Sequence, residues 1–267
     1  MKICSIYNEY DKTKQAVAYL FYYEKKERFY IEISDDAQFE NLPMMLALFL
    51  KQGIYSIDSF WSKKWVCSRI IPTDRQNLGQ ILKANNMRYY DEYKLLIKSK
   101  GMCSHDDFCL EEISIDTVKG NVLQNLSFKG IKDVLADMEE IIIFYNDNIT
   151  RKYSISQLTD RPEYQNYIRS HLNEYEIMPG GYEINWNDIV CIHIDKLRTV
   201  GEQINISFKY FEQFAKKNVV NTAEACEILN CSRQNIEDSV KRNKLKPVQE
   251  SAKNKMFLKA DINRRLW

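Results

Sequence analysis

The feature that most restricts what this chain can fold into lies near its end, where two short runs of helically spaced apolar residues are separated by a tight turn. In residues 221–229, Ala225, Ile228 and Leu229 recur at three- and four-residue spacing and share one helix face. Thr222 is expected as the N-cap, its hydroxyl accepting from the first free backbone N–H groups. Asn230-Cys231 makes the turn, and Ser232 caps a second helix over 233–242. There Ile236 and Val240 point inward one turn apart, which leaves Arg233, Gln234, Glu237 and Lys241 outward. Two short helices joined this way form a helix-turn-helix, whose second helix can lie in a DNA major groove with its first residues toward base edges.

The outward residue types suit that task. Arg bonds guanine O6/N7 bidentately and Gln or Asn bonds adenine N6/N7, so Arg233, Gln234 and Asn235 are the expected base readers. Lys241, Arg242 and Lys244 are placed to meet phosphates. Beyond the helix, 246–249 and 255–258 read as two strands around the polar turn Ser251-Ala252-Lys253-Asn254, a wing carrying Lys253 and Lys255. Asp261 is expected to cap a last helix over 262–267, with Ile262, Leu266 and Trp267 closing a small core and Arg264 and Arg265 solvated.

Charge separates this segment from the rest. The 267 residues carry 38 Lys+Arg and 37 Asp+Glu, yet from 214 to 267 there are 12 basic and 6 acidic residues, leaving 26 and 31 upstream. A basic unit joined to a mildly acidic body points to a polyanionic partner such as nucleic acid, or equally to a solvated basic surface.

The run from Asn221 through Ile236, with Val240-Lys241-Arg242-Asn243-Lys244-Leu245-Lys246-Pro247-Val248, resembles the excisionase and MerR-type winged helix-turn-helix. The resemblance covers about the last fifth of the chain. It rests on small Ala225, the Ser-Arg-Gln start of the second helix, the Lys-Arg-x-Lys-Leu step into the wing and Asp261. Two positions depart from the family pattern: Asn230 replaces the turn Gly, and Glu237 with Asp238 puts acid on the recognition helix. Asn tolerates left-handed geometry, and Glu237 is spaced to pair with Lys241. The resemblance implies binding to double-stranded DNA through Thr222, Ser232, Arg233, Gln234, Asn235, Glu237, Lys241, Arg242, Lys244, Lys253 and Lys255. Protein docking is the other use of such a module.

Between 128 and 201, strands alternate with a helix. Residues 140–145 and 149–155 form a hairpin around Asn146-Asp147-Asn148, Asp160 caps a helix with Pro162 near its first position, and 175–178 and 182–186 flank Pro179-Gly180-Gly181. The stretch is similar to a bacterial family named only as domain of unknown function 2442. The likeness is carried by Phe144-Tyr145-Asn146-Asp147, Tyr153-Ser154-Ile155, Gly181-Tyr182-Glu183-Ile184-Asn185-Trp186 and Ile194-Asp195-Lys196-Leu197. Members occur beside helix-turn-helix domains and near small toxin-like partners, which implies a regulatory or antitoxin-like role. Trp186 is expected in the core and His193 as a structural histidine. Ile204, Phe208, Phe211 and Phe214 then recur at helical spacing, as a connecting helix or a dimer seam.

Upstream, 16–23 and 29–33 read as a hairpin, and Asn41-Leu42-Pro43 opens a helix, apolar nearly all round and therefore expected to be buried, that stops at Gly53. Helices follow near 58–68, with Trp61 and Trp65 a turn apart as core aromatics, and near 74–85. Arg75-Gln76-Asn77 repeats Arg233-Gln234-Asn235 without a second helix-turn-helix around it. Cys103, His105, Asp106, Asp107 and Cys109 could donate to a metal, but no second ligand pair at finger spacing exists, so a polar loop with free thiols is expected.

The expected fold is α+β: an N-terminal α/β domain (1–115), a middle α/β domain (116–201), a connecting helix (202–218) and a winged helix-turn-helix (219–267). No phosphate loop, H-E-x-x-H, G-x-S-x-G or kinase signature occurs, so no enzyme and no cofactor are expected. A metal-dependent hydrolase on Cys103, His105, Asp106 and Asp107 is the enzymatic rival. The longest apolar run, 43–50, is too short to span a bilayer, no signal-peptide core opens the chain, and seven Cys lack disulfide spacing, so a cytoplasmic protein is expected. The function these readings favour is a sequence-specific transcriptional regulator, autoregulatory and antitoxin-like. It would act as a homodimer whose acidic body binds a toxin-like protein at the N-terminal or middle domain. The alternative is a protein-docking adaptor, or a toxin-neutralising or phage-related factor, that does not read DNA.

Overall fold

Alternating apolar residues at the start of the chain build its largest sheet. In the computed structural model, which describes residues 1–137, 139–251, 254–263 and 265 and omits the side chains of Asn125 and Leu126, β1 (Lys2–Asn8), β2 (Ala18–Tyr23), β3 (Arg28–Ile33), β4 (Ser56–Ile57) and β5 (Phe108–Ile113) pair antiparallel. Their order is β4-β3-β2-β1-β5. The expected hairpin is present, with Ala18 opposite Ile33 and Tyr23 opposite Arg28. Of the residues read from sequence, Ala252, Lys253, Arg264, Leu266 and Trp267 lie outside the described ones.

Both faces of this sheet are covered. Cys4, Ile6, Leu20 and Ile31 meet α1 (Met44–Lys51), α2 (Ser59–Cys67) and a later helix, while α3 (Leu78–Ala84) has no buried residue. That later helix is α4 (Glu92–Lys98), which contributes Tyr93 and Leu96. Ile3, Tyr19 and Phe21 meet Val122 of α5 (Gly120–Lys129) on the other face. α1 is not the buried helix expected: Leu46 and Ala47 are covered, but Met44 is 81% and Leu48 51% exposed. A two-turn helix lying on a sheet has only one face to bury, whatever the residues on the other. Trp65 is core, under the Arg69 guanidinium at 4.1 Å, whereas Trp61 is 44% exposed, so the aromatic pair is split between core and surface.

The following stretch folds as β6 (Ile131–Asp137), β7 (Glu140–Tyr145), β8 (Thr150–Ser154), α6 (Ile155–Leu158), α7 (Pro162–Ser170), β9 (Tyr175–Ile177), β10 (Glu183–Trp186), β11 (Val190–His193), α8 (Ile194–Thr199) and β12 (Glu202–Gln203). Two antiparallel sheets result, β12-β8-β7-β6 and β11-β10-β9. Their core holds Ile141, Ile143, Leu197 and fully buried Trp186, with the Tyr145 and Tyr153 hydroxyls 2.7 Å apart and Tyr153 donating to the Leu197 carbonyl at 2.7 Å. Pro162 takes the first position of α7, which sets the cap at Arg161 rather than at Asp160. The turn Pro179–Gly181 needs both its glycines: each has positive φ, and a Cβ on Gly181 would stand 2.4 Å from the Ile131 nitrogen.

Polar side chains fill the seam where β3 and β4 meet β10 and β11. The Tyr30 and Tyr182 rings stack at 4.0 Å. The Glu183 carboxylate accepts from the Ser59 N–H and hydroxyl, both at 2.9 Å, and from the Tyr30 hydroxyl at 3.2 Å. Glu32 accepts from the Ser56 hydroxyl at 2.7 Å, and burial pushes its carboxyl up to about 8 against the pull of that bond. His193 Nδ1 accepts from the Asp195 N–H at 3.3 Å, which assigns its proton to Nε2, 3.4 Å from the Ser56 oxygen. Although half-buried by area, the ring is packed closely enough that burial lowers its pKa to about 4. With Nε2 protonated, His193 cannot take a proton from Ser56, so the group is a hydrogen-bonded strut and not a nucleophile with its base.

β1 to β12 belong to one compact unit, Met1–Gln203; Ile204–Trp267 form a second. The second comprises α9 (Phe208–Asn218), β13 (Val219–Asn221), α10 (Thr222–Leu229), α11 (Arg233–Lys241), β14 (Gln249–Glu250), β15 (Lys255–Leu258) and α12 (Lys259–Asn263), with sheet order β13-β15-β14. The whole is a mixed α+β fold.

Candidate nucleic-acid interface

The helix pair α10 and α11 is entered from a strand, β13, that the sequence does not announce. β13 pairs with β15, setting Asn221 opposite Met256 in extended backbone, the conformation an N-cap requires. Asn221, not Thr222, therefore caps α10. Its Oδ1 accepts from the N–H groups of Ala223 (2.8 Å) and Glu224 (3.0 Å), and Glu224 accepts from the Asn221 N–H at 2.7 Å, completing a capping box. Thr222, already helical, donates its hydroxyl to the Lys255 carbonyl at 3.3 Å.

α10 ends on Asn230 in left-handed geometry (φ 49, ψ 49), and the Cys231 N–H closes the end on the Cys226 carbonyl at 3.0 Å. Ser232 caps α11, accepting from the Asn235 N–H at 3.4 Å. Ala225, Ile236, Leu245, Phe257, Ile262 and Val220 form the buried core, with Ile228, Leu229 and Val240 packed at its edge. Arg233, Gln234, Asn235, Glu237 and Lys241 are exposed along α11, and Arg242 and Lys244 are exposed just beyond it. Glu237 and Lys241 form no ion pair despite their spacing; among the described residues the wing holds one, Lys255 to Glu250 at 2.8 Å.

The wing is shorter than expected. Its first strand is Gln249–Glu250 rather than 246–249, because Pro247 has no N–H to give and the ladder opens with Val248 donating to the Met256 carbonyl at 2.7 Å. Ser251 and Asn254 close the tip, the Asn254 N–H donating to the Ser251 hydroxyl at 3.1 Å. α12 follows β15 directly, so Asp261 lies within the helix and does not cap it.

Between α10, α11 and the wing runs a cleft of about 630 Å³. Thr222, Arg233, Glu237 and Lys255 line it, four of the residues expected from sequence. Ser232, Gln234, Asn235, Lys241, Arg242 and Lys244 are not among its lining residues. Asn221, Gln249 and Asn254 also line the cleft and were not singled out from the sequence. Gln249 and Asn254 carry a weak signal, polar types in a wing, but only the non-local pairing of β15 brings them beside the cap of α10.

The other sequence candidate is a structural loop. Asp106 pairs with Arg69, which also donates to the carbonyls of Gly101 (2.8 Å) and Phe108 (3.1 Å), and Cys109 is buried in β5. All seven cysteines are free thiols, and no group of three or more His, Cys, Asp or Glu able to hold a metal occurs among the described residues. No helix among the described residues is long and apolar enough to cross a membrane. Comparison with protein families, with curated proteins and with solved structures found no match to this chain.

Proposed function

We propose that this protein is a sequence-specific, DNA-binding transcriptional regulator, autoregulatory and antitoxin-like, that acts as a homodimer and takes a protein partner on its first unit. The observation that carries the reading is the continuous exposed polar face of α11, from Arg233 to Lys241, standing beside a cleft closed by the wing. In this reading Arg233, Gln234 and Asn235 meet base edges, while Lys241, Arg242 and Lys244 meet phosphates. One such module offers few base contacts, so two copies are needed for affinity, and the exposed rings of Tyr210 and Phe214 on α9 supply surface for pairing.

Selection from a randomised duplex pool at two salt concentrations tests this. A recovered motif is expected, with affinity falling as salt rises and half-site spacing reporting the dimer. Arg233→Ala should cost about 1–3 kcal/mol at one base position, whereas Lys241→Ala should weaken all sequences alike and reduce the salt slope by about 1. No enrichment, or equal behaviour of the two variants, removes the assignment. Glu237 and Asp238 favour a second reading, a protein-docking module, since acid on α11 opposes phosphate; salt-insensitive partner binding without a duplex shift would establish it.

A further inference from the structure

The first unit contains a cleft of about 760 Å³ bounded by β3, the start of β4, the end of α5, the turn Pro179–Gly181 and α8, a volume within the range of small-molecule sites. Its floor and mouth differ in chemistry. At the floor lie Glu32 and Tyr182, 6% and 2% exposed. The Tyr182 hydroxyl is buried beside Glu32, close enough to interact with its carboxyl but without a hydrogen bond of normal geometry, a poorly met donor of a kind that folded proteins seldom leave. At the mouth stand Lys129 and Lys196, both exposed and neither in an ion pair among the described residues. Arg198 is already committed to Asp147 and to the Lys129 carbonyl. Of the acids present, Asp35 accepts from Asn121 at 2.7 Å and is exposed to solvent, and burial favours the neutral form of Glu32 at pH 7. Asp195 remains, near enough to Lys129 for that ammonium to oppose the effect of burial on its carboxyl.

We propose that this cleft binds a small anionic molecule, its carboxylate or phosphate group held by Lys129 and Lys196 and accepting a hydrogen bond from the Tyr182 hydroxyl. Two unpaired ammonium groups at the mouth draw an anion in, and an acceptor at the floor would give the Tyr182 hydroxyl a better-formed bond than the one it has toward Glu32. The Pro179–Gly181 turn keeps the cleft open: a Cβ on Gly180 would lie 2.6 Å from the Tyr23 hydroxyl and 2.9 Å from the Tyr182 ring, so any side chain there would displace the floor.

The test is calorimetry and thermal unfolding of the full chain with inorganic phosphate, succinate and adenosine monophosphate, against sodium chloride at matched ionic strength. At least one probe should bind saturably and raise the midpoint of the first unit by about 3–6 °C at roughly tenfold excess over Kd, with chloride inert. Phosphate without succinate would define a phosphate site, succinate without phosphate a carboxylate site. The double variant Lys129→Gln/Lys196→Gln, at exposed positions that make no ion pair among the described residues, should fold normally and weaken binding at least tenfold. Tyr182→Phe, nearly isosteric, should weaken it several-fold. No saturable binding of any probe, or binding unchanged in the double lysine variant, overturns the proposal. Neither result bears on DNA recognition by the second unit.

Discussion

The two units place their charges oppositely. In Ile204–Trp267 the ionisable side chains of α11 face solvent over a core of six buried residues among those described, whereas Met1–Gln203 buries Glu32 and Glu183 between sheets and packs the His193 ring beside them. An exposed charge costs little to keep and is free to meet a partner. A buried one must be satisfied by its own fold, and it ties stability to pH. Phe257→Ala probes the small core most severely. Truncating a fully buried phenylalanine costs about 3–5 kcal/mol, a large part of what a unit of this size holds. Amide hydrogen exchange should show protection lost across α10, α11 and the wing with the first unit unchanged. Trp186→Ala, of similar cost, should weaken the larger unit without melting it. If both variants lower protection throughout the chain, the two units are a single cooperative structure and the contrast fails.

Glu32→Gln should have the next largest effect and a distinctive pH signature. The Glu32 carboxyl titrates near 4.5 when unfolded and at about 8 in the fold, so between these values the unfolded chain holds fewer protons and stability falls as pH rises. Below 6.5 His193 acts in the opposite sense. It stays neutral in the fold down to about 4 while the unfolded imidazole takes up a proton, so its contribution rises with pH from 4 to 6.5. Glu183, also raised by burial, adds to the downward trend above 4.5. The two senses oppose each other below 6.5. From 6.5 to 8 the Glu32 contribution runs unopposed by His193 and is worth about 2 kcal/mol. Urea midpoints between pH 5 and 9 should decline above 6.5 more steeply in the native chain than in Glu32→Gln, where only the contribution of Glu183 to that trend is left of the two glutamates. An identical decline in both would place the titration elsewhere.

The same contrast explains what could be read in the sequence. Elements with strong local signals are found where they were expected: β7 by its apolar run, the β2–β3 hairpin by alternation around a charged turn, and α11 by its Ser232 cap. The outward face of α11 is equally local, since a 3.6-residue period alone separates Arg233 and Lys241 from Ile236. What was missed depends on distant pairing. β13 is three residues long and is a strand only because β15 lies beside it, and the cap at Asn221 and the full lining of the cleft follow from that pairing. Glu32 sits in Tyr30-Ile31-Glu32-Ile33 like any outward residue of a half-buried strand. Only the arrival of Ser56 and Tyr182 from remote segments makes it interior.

Asn230 gives the smallest effect and the finest test of the outward-facing unit. At φ 49 and ψ 49 an alanine Cβ would crowd the following carbonyl, and alanine lacks the polar side chain through which Asn offsets that cost locally. Asn230→Ala should therefore lose about 1 kcal/mol, a fall of about 4–8 °C in the midpoint of a unit this small. Asn230→Gly removes the crowding but gives the unfolded chain more freedom, so the two contributions nearly cancel and the midpoint should hardly move. Both variants keep every side chain of α11, which separates the turn's geometry from recognition itself. Unchanged duplex affinity in the glycine variant, with a lower midpoint in the alanine variant, means the turn sets stability while the exposed face sets binding. A glycine variant that folds as well but binds more weakly would show that the angle at Asn230 aims Arg233, and that the exposed face depends on a backbone position its own residues do not supply.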